Sequence, residues 1–120
     1  AMKDIGAGVV DEFIYTGSPG AGTSTVGSLG VDPSHVWVSA VKHLDWVKGI
    51  PPDQWESFGR DPVDLEGIQH LSGDASGASS YHANYFGWIF ANHSSYFDAP
   101  VPGQHNEALD DICRVIAGAK

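Results

Sequence analysis

Apolar positions are concentrated in two short runs in the first third of the chain and in one regularly spaced stripe at its end. Residues 9–16, VVDEFIYT, are rich in β-branched and aromatic side chains and run directly into GSPGAG, which predicts a buried strand stopped by a Gly/Pro turn. Residues 35–41, HVWVSAV, repeat the pattern. The Gly/Ser-rich stretch between them, 17–34, is long enough for a crossover with a short helical piece but too small-residued for a stout helix. Two strands joined by a connection of this length suit a parallel sheet.

A third strand is predicted at residues 66–73, EGIQHLSG, with Ile68 and Leu71 as its apolar anchors. After APVPGQ, the segment NEALDDICRVIAG places Ala108, Leu109, Ile112, Cys113 and Ile116 at helical spacing, so a helix is expected over about 106–117. Asn106 is its candidate N-cap, acids crowd its first turns, and Arg114 sits near its end, as the helix dipole favours.

The predicted order is strand, crossover, strand, long loop, strand, long loop, helix, which is an α/β pattern without internal repeats. All 120 residues are assigned to one domain. A sheet of three parallel strands with open edges buries little surface, so this chain is expected to be part of a larger sheet, incomplete without an upstream segment.

Composition narrows the partners. A hydrophobic content of 42% with four Trp, five Phe and four Tyr argues for a packed core, while 15 Gly and 7 Pro argue for busy loops. A formal charge of −9 repels phosphate backbones, so nucleic acid is not an expected partner. No apolar run approaches the roughly 20 residues of a membrane helix, and no signal-peptide pattern opens the chain. The single cysteine, Cys113, excludes an internal disulfide and a Cys-rich zinc site, and leaves the compartment undetermined.

Ligands of open α/β sheets bind beyond the carboxyl ends of the strands. That rule nominates Gly17–Gly22 after the first strand, Lys42–Asp45 after the second and Ser72–His93 after the third. Asp45 and His93 are the residues in these places with acid/base chemistry to offer. An Asp orienting a His, which in turn draws a proton from a serine, makes a neutral hydroxyl nucleophilic. The plain alternatives are a solvated loop acid for Asp45 and a histidine bonded to a carbonyl for His93.

The blocks VDEFIYTGSPGAG, LGVDPSHVWVSAVKHLDWV, FGRDP, HSSYFD and ALDDICRVIAG resemble, in this order and over nearly the whole chain, the C-terminal half of a bacterial α/β-hydrolase family first described as a domain of unknown function. The resemblance implies a C-terminal portion of an α/β-hydrolase sheet, with Asp45 as triad acid and His93 as triad base. It also implies esterase- or lipase-like hydrolysis of a small-molecule ester without a cofactor or metal. Where that family has a short Asp-Pro after the second strand, this chain reads KHLDWV, a displacement of Asp45 by about a residue; Asp61 and Asp64 are the rivals should the acid be misaligned. The insertion ahead of His93 carries Tyr81, Tyr85, Phe86, Trp88 and Phe90, which form either an acyl-binding wall or a loop packed on the core.

The nucleophile is missing from this pattern. No serine has glycine at both flanking second positions, as a G-x-S-x-G elbow requires. Ser18, in TGSPG, stands in the right chain order before Asp45 and His93, but Pro19 follows it and has no N–H for an oxyanion hole. The expected nucleophile therefore lies upstream of Ala1, with AMKDIGAG as the tail of the helix after it, ended by Gly6 or Gly8. The partner on that reading is the N-terminal half of the same domain. The competing class is a non-catalytic, hydrolase-like binding or assembly domain. A metalloenzyme built from His35, His43, His70, His82, His93 and His105 lacks HExxH or other tight ligand spacing. GSPGAG as a nucleotide loop lacks both G-x-G-x-x-G and the P-loop lysine.

Overall fold

The three predicted strands form one sheet: β1 (Phe13–Thr16), β2 (Val36–Ser39) and β3 (Gln69–His70) lie in that order, every neighbouring pair parallel. Phe13 is opposite Val36 and Thr16 opposite Ser39, while Trp37 is opposite Gln69. The structure is a computed structural model and describes residues 4–6, 8–40, 58–81 and 91–120. It has a mixed α/β character, with helices α1 (Ala91–Ser94) and α2 (Glu107–Ile116).

Each strand is shorter than its apolar run, because pairing needs a partner as well as propensity. Residues 9–12 extend past the start of β2, where Pro33–His35 is a 3₁₀ turn capped by the Asp32 side chain, so they have no paired neighbour there. β3 is held at its start by the left-handed Gly67 (φ 84°), and Leu71 adds one more bond, from its N–H to the Val38 carbonyl at 2.9 Å. The crossover contains two 3₁₀ turns, Val26–Leu29 and Pro33–His35, in keeping with its small residues.

Alternation along the strands divides the apolar residues between the two faces. Tyr15, Val36 and Val38 point to one side, where Val26, Leu29, Val31, Leu65 and Ile68 cover them. Trp37 and Ile14 point to the other, against Leu71, Tyr96 and the α2 residues Ala108, Ile112 and Val115. All four residues of β2 are buried, as in a central parallel strand covered on both faces. Each large side chain sealed in these layers contributes about 1.5–3 kcal/mol relative to exposure.

Helix α2 begins as expected: the Asn106 side-chain oxygen accepts from the Leu109 N–H at 3.2 Å. Its buried stripe is different from the predicted one. Ala108, Asp111, Ile112 and Val115 face inward, whereas Leu109 is half-buried, Cys113 is exposed and Ile116 is 74% exposed. The inward face is turned by about one residue, roughly 100° of helix. Asp111 accompanies this turn: one carboxylate oxygen accepts from the Ser72 N–H (2.8 Å), the other from Arg114 (3.0 Å) and Lys120 (2.8 Å). Burial alone would raise its pKa, but the Lys120, Ser72 and Arg114 contacts outweigh that and hold it below the ordinary carboxylate value.

Among the described residues no helix is long and apolar enough to cross a membrane.

Candidate functional site

The first strand ends in Thr16, and the chain then turns at Gly17 with a φ of 54°. The ring of His93 lies against this turn. A Cβ on Gly17 would stand 2.6 Å from Cε1 and 2.8 Å from Nδ1 of His93, so only a glycine lets the backbone and the imidazole approach this closely. At the carboxyl ends of the other two strands, the Ser39 hydroxyl donates to the carbonyl of Ser72, two residues past the end of β3, at 2.9 Å. His93 thus stands at the carboxyl end of β1, on the side of the sheet where α/β ligands bind.

Ser18, the neighbour of Gly17, has its single hydroxyl proton engaged by the Gly20 carbonyl at 2.7 Å, and its oxygen faces the Gly20 N–H at 3.4 Å. This is the local turn geometry of a serine that shapes a loop. Beyond it, the GSPGAG loop is strapped to residues 58–60. Ala21 N–H donates to the Arg60 carbonyl and Gly22 N–H to the Phe58 carbonyl, both at 2.8 Å. Any Cβ on Gly20 would fall 2.2 Å from the Phe58 oxygen. Gly20 of GSPGAG and Gly59 of FGRDP therefore serve a close backbone crossing beside the turn that carries Gly17.

His93 belongs to α1, which continues directly into a 3₁₀ turn, Ser95–Phe97. Its neighbours Asn92 and Ser95 are fully buried, so the backbone on both sides of the half-buried His93 is held. The Ser80 hydroxyl donates to the Asp98 carboxylate in a short contact and lies 3.1 Å from the Ser95 hydroxyl. Backbone bonds reinforce the same seam, with Ser79 N–H to the Ala99 carbonyl (3.0 Å) and Val101 N–H to the Gly77 carbonyl (2.9 Å).

Asp45 and the aromatic candidates Tyr85, Phe86, Trp88 and Phe90 lie outside the described residues, as do His43 and His82. Tyr81 is half-buried, its N–H bonded to the Ala78 carbonyl at 3.1 Å. Of the rival acids, Asp61 caps the 3₁₀ turn Pro62–Asp64 by accepting from the Val63 N–H at 3.0 Å, and Asp64 is exposed. Asp61 has a structural task already. Gly8 is left-handed (φ 81°), but residues 1–3 and 7 of the expected helix tail lie outside the described residues.

Among the described residues, open clefts lie elsewhere. One, of about 370 Å³, lies at the amino ends of β1 and β2 and includes Asp11, Glu12, Asp32 and His35. Another, of about 420 Å³, lies beside α2 and includes Ser72, Glu107, Asp110 and Asp111. Both are lined by carboxylates, and neither is lined by His93. Among the described residues no group of three or more His, Cys, Asp or Glu side chains is placed to hold a metal ion.

Gly17 and Asn106 carry no acid, base or nucleophile and so escape a search for such groups, while Ser80 and Asp98 enter it only as parts of a loop and of the HSSYFD block. Their signal is compositional: small polar residues, SS, D and N, interleaved with apolar ones where a surface loop would carry charges.

Compared with family models, curated proteins and solved structures, the chain matches none. Sheet and site define a small α/β unit with a parallel three-stranded sheet and a histidine at its carboxyl edge.

Proposed function

We propose that this chain is the C-terminal part of an α/β-hydrolase-type domain and contributes His93 as general base and Asp45 as orienting acid to a serine triad that hydrolyses a small-molecule ester. The observation that carries the reading is the contact of His93 with Gly17 at the carboxyl end of the first of three parallel strands in sequential order. Among the described residues β1 pairs with β2 alone, and its Phe13 and Ile14 are half-buried. A strand from the N-terminal half of the domain, paired along the open edge of β1, brings a serine at its own carboxyl end beside Gly17 and His93.

In that arrangement the serine attacks the ester carbonyl while His93 takes its proton, then returns it to the departing alcohol. Water, deprotonated by the same imidazole, attacks the acyl-serine; the acid leaves and the serine regains its proton. Asp45 holds the imidazole in the tautomer that leaves one nitrogen free to accept. The aromatic segment with Tyr85, Phe86, Trp88 and Phe90 supplies an apolar wall for the acyl group. No cofactor enters the scheme. Ser18 is set aside as nucleophile, since its proton is engaged by Gly20 and Pro19 offers no N–H to an oxyanion.

Intact-mass analysis after exposure to a fluorophosphonate tests the proposal. The chain alone is expected to remain unlabelled, and a segment bearing G-x-S-x-G, co-purified with it, to be labelled in a manner that requires His93 and Asp45. An adduct on Ser18, or labelling that survives His93→Ala, rejects the assignment. Absence of labelling in any combination supports a non-catalytic binding or assembly domain.

A further inference from the structure

The side chain of Asn106 is only 1% exposed, and each of its polar atoms is engaged. Its oxygen caps α2 through the Leu109 N–H, and its amide nitrogen donates to the Ser95 carbonyl at 2.8 Å and to the Asp98 carbonyl at 3.0 Å. An amide has one acceptor oxygen and two N–H donors, so this one side chain is fully used. The two carbonyls it holds open and close the turn that directly follows His93.

The hydroxyls complete the clamp. The single proton of Ser80 goes to Asp98, so Ser95 donates to Ser80, and a relay runs from Ser95 through Ser80 to the Asp98 carboxylate. The helix cap, the turn and the loop entering at Ser80 are thereby joined within a few residues of the imidazole. Networks whose members are all satisfied fix one arrangement, because any displacement leaves a buried polar group unpaired.

From this arrangement we infer that Asn106 is a positioning residue for His93: it locks the 95–98 turn to the start of α2 and so holds the imidazole against Gly17. The inference rests on His93 being the base of the proposed site, yet its test reads where the ring sits and needs no turnover. Serine labelling decides the hydrolase reading separately.

Asn106→Asp separates the two tasks of this side chain. Aspartate caps a helix as well as asparagine does but has no N–H to donate, so α2 keeps its cap while the Ser95 and Asp98 carbonyls lose their donor. The Gly17 hydrogen that takes the place of a Cβ points at His93 Cε1, which makes the nuclear Overhauser effect between Gly17 Hα and His93 Hε1 a direct gauge of the contact. In the 120-residue chain, with His93 assigned by comparison with His93→Gln, the expected result is loss of that effect and a shifted Hε1 resonance, with the α2 amides still protected. An unchanged effect and resonance in a folded Asn106→Asp protein overturns the inference. Should the buried carboxylate unfold the chain, Asn106→Ser keeps a neutral capping oxygen but has no amide to bridge the Ser95 and Asp98 carbonyls. A weakened Gly17–His93 effect then supports the inference, and an unchanged one overturns it.

Discussion

One histidine stands beside the amino ends of β1 and β2 and another beside the carboxyl end of β1, and the two are held in different ways. At the amino end, His35 Nδ1 lies 2.7 Å from a Glu12 carboxylate oxygen, whose partner oxygen accepts from the Trp37 indole N–H, also at 2.7 Å. At the carboxyl end, His93 rests on a glycine turn, between neighbours that are fully buried. Pairing with a carboxylate does not by itself identify a functional base. The His35–Glu12 pair has side chains 48% and 27% exposed and spans the starts of β1 and β2, where it acts as a strap. At the other end the Gly17 turn brings the backbone against the His93 ring, on the side of the sheet where α/β ligands bind. That position, and a ring set against a glycine turn, distinguish His93.

The largest effect expected from this contrast is catalytic. On the proposed hydrolase reading, with a serine-bearing segment supplied, His93→Ala is expected to reduce turnover by on the order of 10⁴- to 10⁶-fold with a thermal midpoint close to wild type, and His35→Ala to leave it unchanged. Equal losses from both substitutions, measured as kcat/KM on an aryl ester, would erase the distinction between the two ends.

Gly17→Ala attacks the floor under His93. The left-handed backbone costs alanine about 1–2 kcal/mol, and the added methyl collides with the ring for roughly 1–3 kcal/mol more. Calorimetry is expected to show a midpoint lowered by roughly 5–15 °C. A stable Gly17→Ala protein with His93 in place would contradict the contact.

Asp111→Asn comes next, because it removes the carboxylate that ties Ser72, Arg114 and Lys120 to α2. Hydrogen bonds to a charged group contribute about 1.5–3 kcal/mol, the loss expected at neutral pH in urea unfolding. Asp111 has its pKa lowered in the folded chain, so its stabilisation is fully present above the unfolded value of 3.8 and is lost as pH falls through the lower folded value. The difference between Asp111→Asn and the parent chain should shrink below that pH; a gap that stays constant would reject the ion-pair account.

The smallest effect belongs to the amino-end strap. His35→Ala should cost under about 1 kcal/mol, as exposed ion pairs do, and a larger loss in the same urea measurement would show that the pair is a structural centre.

Residue by residue, the apolar runs announce β1 and β2, Ile68 and Leu71 mark β3, and Asn106 marks the start of α2. These are local signals, because periodicity and capping depend on a few neighbouring residues. The inward stripe of α2 is not local: Asp111 reads as a surface acid until Ser72, Arg114 and Lys120 gather on it. The strand ends are likewise set by partners, as the Pro33–His35 turn withdraws the neighbour of residues 9–12. His93 is nominated by its place after a strand, but the contact that singles it out is with Gly17, far away in sequence.

By itself, then, the order of residues determines three strands and a final capped helix, an acidic charge that repels phosphate, and the lack of any G-x-S-x-G serine. Only the tertiary structure decides that the parallel strands lie in sequential order, that Gly17 meets His93, and that Asn106 turns its amide from the helix it caps toward the turn after the histidine. The physical reason is one of range. Strand propensity and helix caps act between residues close along the chain, whereas a glycine accommodating an imidazole or an asparagine bridging two carbonyls exists only when packing brings distant segments within hydrogen-bond and van der Waals reach.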